Sequence, residues 1–241
     1  TGESLKMKFN NIYNDPTTRS RVSYASTYWD DGFTDDELQK IIDYCESVGT
    51  ERGTIFSEDV NQTEKIRRSN VKFHNRNPDT SWIFDKLNFI IQATNERFYN
   101  FDLNGYEMFQ YTTYNADEKG EYNWHMDVSL NSMPNNMFET RKLSMTLLLN
   151  DDFEGGELNF KHLDNTITNL KPKAGTFAVF AGGLHNVHEV TTVLKKDRWT
   201  LGSFWDDRPL EAYSEEKRAF WKGDLEKTRA LQKEEQQEWK Q

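Results

Sequence analysis

A single cysteine, Cys45, stands in 241 residues, so no disulfide forms within the chain and nothing in it asks for an oxidising compartment. The cytoplasm is the expected setting. Long apolar runs are missing as well: no stretch approaches the ~20 consecutive apolar residues of a membrane span, and Thr1-Gly2-Glu3-Ser4 has no signal-peptide core, so no membrane partner is expected. Basic residues are outnumbered, 30 Lys and Arg against 40 Asp and Glu, and the formal charge of −10 argues against a phosphate-tracking surface and a nucleic-acid partner. Repeats and low-complexity linkers are absent too, so residues 1–241 are expected to form one domain. What is plentiful is aromatic: 14% of residues against 35% hydrophobic overall, which points to a core built on Phe, Tyr and Trp area.

Along the chain, residues 1 to about 27 are polar, turn at Asn14-Asp15-Pro16, and read as an arm lying over the domain or partly disordered. Thr34 and Glu37 make a capping box, and Leu38, Ile41, Ile42, Cys45 and Val48 follow at helical spacing up to Gly49, with Cys45 as a core residue and not a reactive thiol. Residues 50–78 read as a polar loop around Val60-Asn61-Gln62-Thr63 and a short strand through Val71 and Phe73. Within it the pair Arg67-Arg68 has the chemistry to bind an anion but reads as a solvated rim. A second helix is expected from about Ser81, with Ile83, Leu87, Ile90, Ile91, Thr94 and Phe98 on one side, completing a region 28–100 of helical support and first strands.

From Phe101 the period becomes two. Tyr106, Met108, Gln110, Thr112 and Tyr114 share one face, and Phe109 and Tyr111 the other. Residues 141–150 are apolar almost throughout, as in a strand covered on both faces, and Gly155-Gly156 bends the chain back. Further short strands run to Trp205, and after Pro209 residues 215–241 read as a helix with a narrow stripe of Phe220, Trp221, Leu225 and Leu231. Helices first and many short strands after predict an α+β, mainly β fold: a sandwich or jelly roll with helices on one face, a core over 101–205 and a helical tail over 206–241.

His125 and Asp127, two residues apart on a strand-like stretch, project to the same side and could hold one cation if a third ligand arrives from elsewhere. His185 and His188 are the candidates. Two histidines and one carboxylate, with the other positions open, form the ligand set of a non-haem Fe(II) oxygenase. After His188 the chain turns at Lys195-Lys196-Asp197 and returns with Arg198-Trp199-Thr200, a ten-residue separation that suits antiparallel neighbours and would set Arg198 beside the metal ligand. A guanidinium there could grip the far carboxylate of a dicarboxylate that chelates the metal, with the Thr200 hydroxyl as a second donor. Only His188 has this spacing to Arg198, so it is preferred over His185, which an odd separation would turn to the opposite face. His74 and His162 have no partner spacing and read as surface or satisfied loop residues.

Tyr122-Asn123-Trp124-His125-Met126-Asp127, the run 143–150 with Glu154-Gly155-Gly156-Glu157-Leu158, the run 175–180, and His188-Glu189-Val190-Thr191-Thr192-Val193 followed by Arg198-X-Thr200 occur in a specific order. In this, residues from about 104 to 205 resemble the catalytic core of the Fe(II)/2-oxoglutarate-dependent dioxygenases, in the prolyl 4-hydroxylase-like branch that includes bacterial and phage PKHD-type hydroxylases. The resemblance implies a double-stranded β-helix, a cupin-like jelly roll with supporting helices packed on one face and a C-terminal helix. It implies Fe(II) held by His125, Asp127 and the distal histidine, and 2-oxoglutarate as co-substrate on Arg198 and Thr200 with Tyr114 nearby. Where many relatives carry a tyrosine this chain has Leu148, and Ser144 could partly replace the lost contact. The implied reaction uses molecular oxygen, with ascorbate as an accessory reductant, and releases succinate and CO2 while hydroxylating a proline of a peptide or protein. Asp127, being a carboxylate, leaves no site for halide and favours hydroxylation over halogenation. A free amino acid or another small molecule is the alternative substrate, and a metal-free jelly-roll binding module the alternative class. Loops 53–80 and 128–140 are expected to choose the substrate, with Tyr122 and Trp124 either stacking on a pyrrolidine ring or filling core.

Overall fold

Two antiparallel sheets face each other, and the chain passes repeatedly from one to the other. The computed structural model describes residues 9–11, 26–30, 32–54, 60–106, 108–127, 132–133, 137–138, 141–170, 173–182, 186–206 and 214–238. In the major sheet the order is Phe9–Asn11, Ser26–Trp29, Phe177–Ala181, Arg141–Leu148, Arg198–Asp206, Phe109–Tyr114, Asn70–His74 and Glu51–Arg52, with Gly105–Tyr106 also paired to Arg198–Asp206. The minor sheet runs Ile167–Leu170, Leu158–Lys161, Val187–Val190, Glu121–His125 and Arg67–Arg68. This is the jelly roll expected from the strand pattern. The residues read as an N-terminal arm differ from expectation, because Phe9–Asn11 and Ser26–Trp29 add two strands to the major sheet's edge; each is too short for alternation to stand out.

Helices cover the outer face of the major sheet. Helix α1 (Asp35–Val48) starts where the capping box requires: Thr34 Oγ1 accepts from the Glu37 amide at 3.3 Å and Glu37 Oε2 from the Thr34 amide at 2.8 Å. Thr34→Ala is expected to lower stability by about 1 kcal/mol, read as a melting temperature lower by about 2–4 °C. A short helix α2 (Val60–Ile66) stands where a polar loop was expected; it lacks an apolar stripe, so periodicity could not reveal it. Helix α3 (Ser81–Thr94), continued by a π-turn over Asn95–Tyr99, buries all six residues expected on its inner side. Together α1 and α3 close a core with Phe109, Tyr111, Leu143, Leu147, Leu201 and Trp205 from the sheet. Cys45 lies in that core, and burial pushes its thiol up to about 12, so it is inert.

Helix α4 (Glu215–Glu238) docks by Trp221 and by a buried charge. Asp224 accepts from both terminal nitrogens of Arg76 at 3.0 Å and from Asn88 Nδ2 at 2.5 Å, while Asn88 Oδ1 accepts from Trp205 Nε1 at 2.9 Å. The tail is thereby tied to the strand that begins at Arg198. His74 departs from its expected surface place: it is buried between Tyr44 and Phe109, ring centroids at 5.4 and 5.0 Å, and Phe73 faces the inter-sheet side instead. Its spacing lacked a metal partner, but spacing does not report burial. No helix among the described residues is long and apolar enough to cross a membrane.

Candidate functional site

His125 and His188 lie directly opposite each other on neighbouring antiparallel strands of the minor sheet, so the pleat turns both imidazoles to one side, ring centroids 4.1 Å apart. Asp127, just past the end of the His125 strand, brings Oδ2 to 3.7 Å from His188 Nε2. One ligand atom from each of the three lies within 4.8 Å of the others. Each imidazole is oriented by the chain itself: Nδ1 of His125 donates to Asn123 O at 2.8 Å, and Nδ1 of His188 donates to Asn186 O at 2.9 Å. A carbonyl only accepts, which assigns the proton to Nδ1 and leaves Nε2 with a free lone pair. Asn186 is fixed in turn by its side-chain Nδ2, which donates a hydrogen bond to Ala181 O at 2.6 Å.

The surroundings favour ligand-ready protonation states. Burial, with His188 adjacent, pushes His125 down to about 3, so its ring is neutral at ordinary pH. Burial alone would raise Asp127, but His188, His125 and Arg141 outweigh it and hold the carboxyl below its usual range. A neutral imidazole and an ionised carboxylate are the forms a metal takes up. Phe180 packs edge-on against His188 at 4.8 Å, and Tyr122 stacks on His125 at 3.5 Å with planes 10° apart. Tyr122 therefore backs a ligand. Trp124, 37% exposed, does not fill core. Tyr122→Leu is expected to weaken metal binding about three- to tenfold, the scale of one lost aromatic stack, with Tyr122→Phe close to wild type in a metal titration.

The triad opens on a cavity of about 380 Å³ between the sheets. Across it lies Arg198, 2% exposed, opposite Tyr114 in the ladder and 5.2 Å from that ring. Its Nε is buried without a hydrogen bond, and no carboxylate pairs with the guanidinium among the described residues. Burial lowers its pKa, yet an arginine keeps its charge in such a place. Gly156 makes room for it: at φ +63°, a Cβ there would come within 2.9 Å of Arg198 Cδ. Thr200 and Tyr114 share the cavity wall with Arg198.

One expectation about this end is overturned. His188 and Arg198 are not on neighbouring strands; they belong to opposite sheets and meet across the cavity. The nine residues between them span the crossing from sheet to sheet, which a turn-length argument cannot distinguish from a hairpin. Ser144, expected near the co-substrate, is fully buried beside Asp127 and is not part of the cavity wall, where Thr146 takes that place. Thr146 shares a strand face with Ser144, so alternation carried that signal. Arg141 also lines the cavity and no motif marked it. Arg67, read as a solvated rim, is 7% exposed and on the wall, while Arg68 keeps to the rim in an ion pair with Glu121 at 2.7 Å. His185 and most of loop 128–140 lie outside the described residues; among the described residues the histidine brought to His125 and Asp127 is His188.

Residues 109–206 match the family described as the 2OG-Fe(II) oxygenase superfamily. Over 72 residues the chain is 40% identical to human prolyl 3-hydroxylase 2 and 39% identical to the rat protein of that name; this stretch is 29% of the chain but covers only 10% of either relative. Among solved structures, a prolyl-4-hydroxylase from Pseudomonas putida superposes with a TM-score of 0.61 at 17% identity, covering 77% of this chain and 94% of that one. A Trichoplax adhaerens prolyl hydroxylase in complex with a hypoxia inducible factor oxygen degradation domain peptide gives 0.62 at 16% identity, with 81% and 86% covered. A viral collagen prolyl hydroxylase from Paramecium Bursaria Chlorella virus-1, in a 2OG complex, gives 0.54 at 16% identity, with 76% and 96% covered. At such identities the shared property is the fold, a double-stranded β-helix.

Proposed function

We propose that this chain, a member of the 2OG-Fe(II) oxygenase superfamily through residues 109–206, is an Fe(II)- and 2-oxoglutarate-dependent hydroxylase acting on a prolyl residue of a peptide or protein. The observation that carries the reading is one cavity holding both a His-Asp-His donor set and, across from it, a buried guanidinium with no acid of its own among the described residues. A buried, uncompensated cation is unfavourable in a protein that binds nothing there, and it fits a protein that receives an anion.

The donor chemistry fits the group. His125 and His188 offer Nε2 and Asp127 a carboxylate oxygen on one side of a common point, which leaves the cavity side open. Bound Fe(II) supplies oxygen activation coupled to conversion of 2-oxoglutarate into succinate and CO2. Arg198 orients the far carboxylate of the co-substrate, with Thr200 and Tyr114 beside it. Leu158, Phe180 and Val190 line the wall around the triad with apolar surface and exclude water. Asp127 keeps a protein oxygen in the position a halide would need, so hydroxylation is the outcome. Proline as target follows the named activities of the similar proteins, and a peptide substrate follows the complex with a peptide in one of them. Residues 101–205 form the catalytic core of this reading, and the cytoplasm its setting, since the single cysteine, Cys45, asks for no oxidising compartment.

The test is incubation with Fe(II), 2-oxoglutarate, oxygen and proline-bearing peptides, followed by mass spectrometry for a gain of one oxygen and by succinate assay. Equal dependence on metal and co-substrate is expected. Absence of 2-oxoglutarate binding by the Fe(II)-loaded protein rules the reading out.

A further inference from the structure

Arg67 has no role in the chemistry described so far, yet it is built into the same cavity. It lies on the minor sheet opposite Tyr122, with its guanidinium 4.8 Å over that ring, and Tyr122 in turn stacks on His125. Nε donates to Ser69 Oγ at 2.7 Å and a terminal nitrogen reaches Thr54 O at 3.4 Å. Gly53 gives the side chain its berth: a Cβ there would stand 3.0 Å from Arg67 Nε and from both Ser69 oxygens. Four neighbours thus hold the guanidinium in place and none is an anion.

The contrast with other arginines is informative. Arg52 pairs with Glu64 and Glu118, Arg68 with Glu121, and buried Arg76 with Asp85 and Asp224. Arg67 and Arg198, both buried on the cavity wall, have no carboxylate partner among the described residues. When the site is loaded, the divalent metal and Arg198 are balanced by Asp127 and the two carboxylates of 2-oxoglutarate. Arg67 stands outside that balance, as excess positive charge in a chain of formal charge −10; Arg141, the third arginine on the wall, sets its guanidinium over the Phe204 ring.

Resting on the proposed hydroxylase reading, we propose that Arg67 binds a carboxylate of the substrate, so that the preferred substrate is acidic close to its target proline. With Nε engaged by Ser69, the terminal N–H groups are left for the incoming oxygens. The carboxylate could come from an acidic side chain flanking the target in a peptide or from the α-carboxylate of a free amino acid.

Titration calorimetry on the Fe(II)- and 2-oxoglutarate-loaded protein without oxygen separates these. The probes are a peptide with glutamates on both sides of one proline, its glutamine counterpart, free L-proline and L-prolinamide. In at least one pair the acid is expected to bind about ten- to a hundredfold more tightly than its neutral partner, the range of a charge-assisted hydrogen bond. Separation in the peptide pair assigns the side-chain source, and separation confined to the proline pair assigns the α-carboxylate. Arg67→Gln is expected to collapse the ratio to within about threefold, with Arg67→Lys restoring part of it. If neither pair separates in the wild type, or if the ratio survives Arg67→Gln, the assignment is overturned. Loading with 2-oxoglutarate, measured first in the same cell, keeps the outcomes apart: failure there removes the hydroxylase reading, whereas normal loading with indifferent probes removes only the role of Arg67.

Discussion

Alanine at position 188 is expected to reduce 2-oxoglutarate turnover by roughly a thousandfold or more, because the three donors act as one unit and two of them do not hold the metal in its reacting geometry. His188 is the donor with the least freedom to be replaced. Its ring is buried against Phe160 and Phe180, its Nδ1 proton is committed to Asn186, and its Nε2 points at Asp127. Truncation leaves an imidazole-shaped hole between those rings, so added imidazole should restore a measurable fraction of turnover. Succinate release and iron content of the purified variant check this together. Alanine at His185 is the matching control: turnover within about threefold of wild type is expected if His188 is the third ligand, since a residue off the metal changes little. The reverse pattern would move the assignment to His185.

That contrast also marks how far residue spacing reached. A two-residue interval placed His125 and Asp127 together, and the same alternation put Gln110, Thr112 and Tyr114 on the cavity wall with Phe109 and Tyr111 in the helix-side core, whereas Tyr106, expected on the face of Tyr114, packs in the helix-side core against Phe84 and Trp221. Helix α1 was legible because its cap and its stripe agree. Relations that run through space and not along an element were not legible. The nine residues between His188 and Arg198 cross between sheets, a step that looks like a hairpin when written as a string. Arg67 and Arg68 are adjacent and chemically identical, yet one faces the cavity and the other pairs with Glu121 at the rim; only the pairing of their two-residue strand with the His125 strand decides which is which. Buried His74 was hidden for a related reason: its burial comes from Tyr44 and Phe109, supplied by distant parts of the chain.

Methionine at position 198 should separate binding from stability in opposite directions. Arg198 is buried, lacks a carboxylate among the described residues, and leaves Nε without a hydrogen bond, so the ligand-free protein carries an uncompensated charge in its interior. Methionine fills similar volume without that charge, and the apo variant is expected to be more stable by about 1–4 kcal/mol, melting several degrees higher at about 2–4 °C per kcal/mol. Under the proposed function the co-substrate loses its anchor in the same change. Removing one partner of a buried, hydrogen-bonded charge pair costs about 2–5 kcal/mol, so 2-oxoglutarate affinity should fall by about thirtyfold to several thousandfold. In the wild type, saturating 2-oxoglutarate with Fe(II) raises the melting temperature by mass action, and in the variant that rise should vanish at the same concentrations. A variant less stable without ligand, yet still stabilised by 2-oxoglutarate, would show that Arg198 belongs to the packing of the sheet. The opposite pair of shifts is the signature of a charge kept in the interior for what it binds.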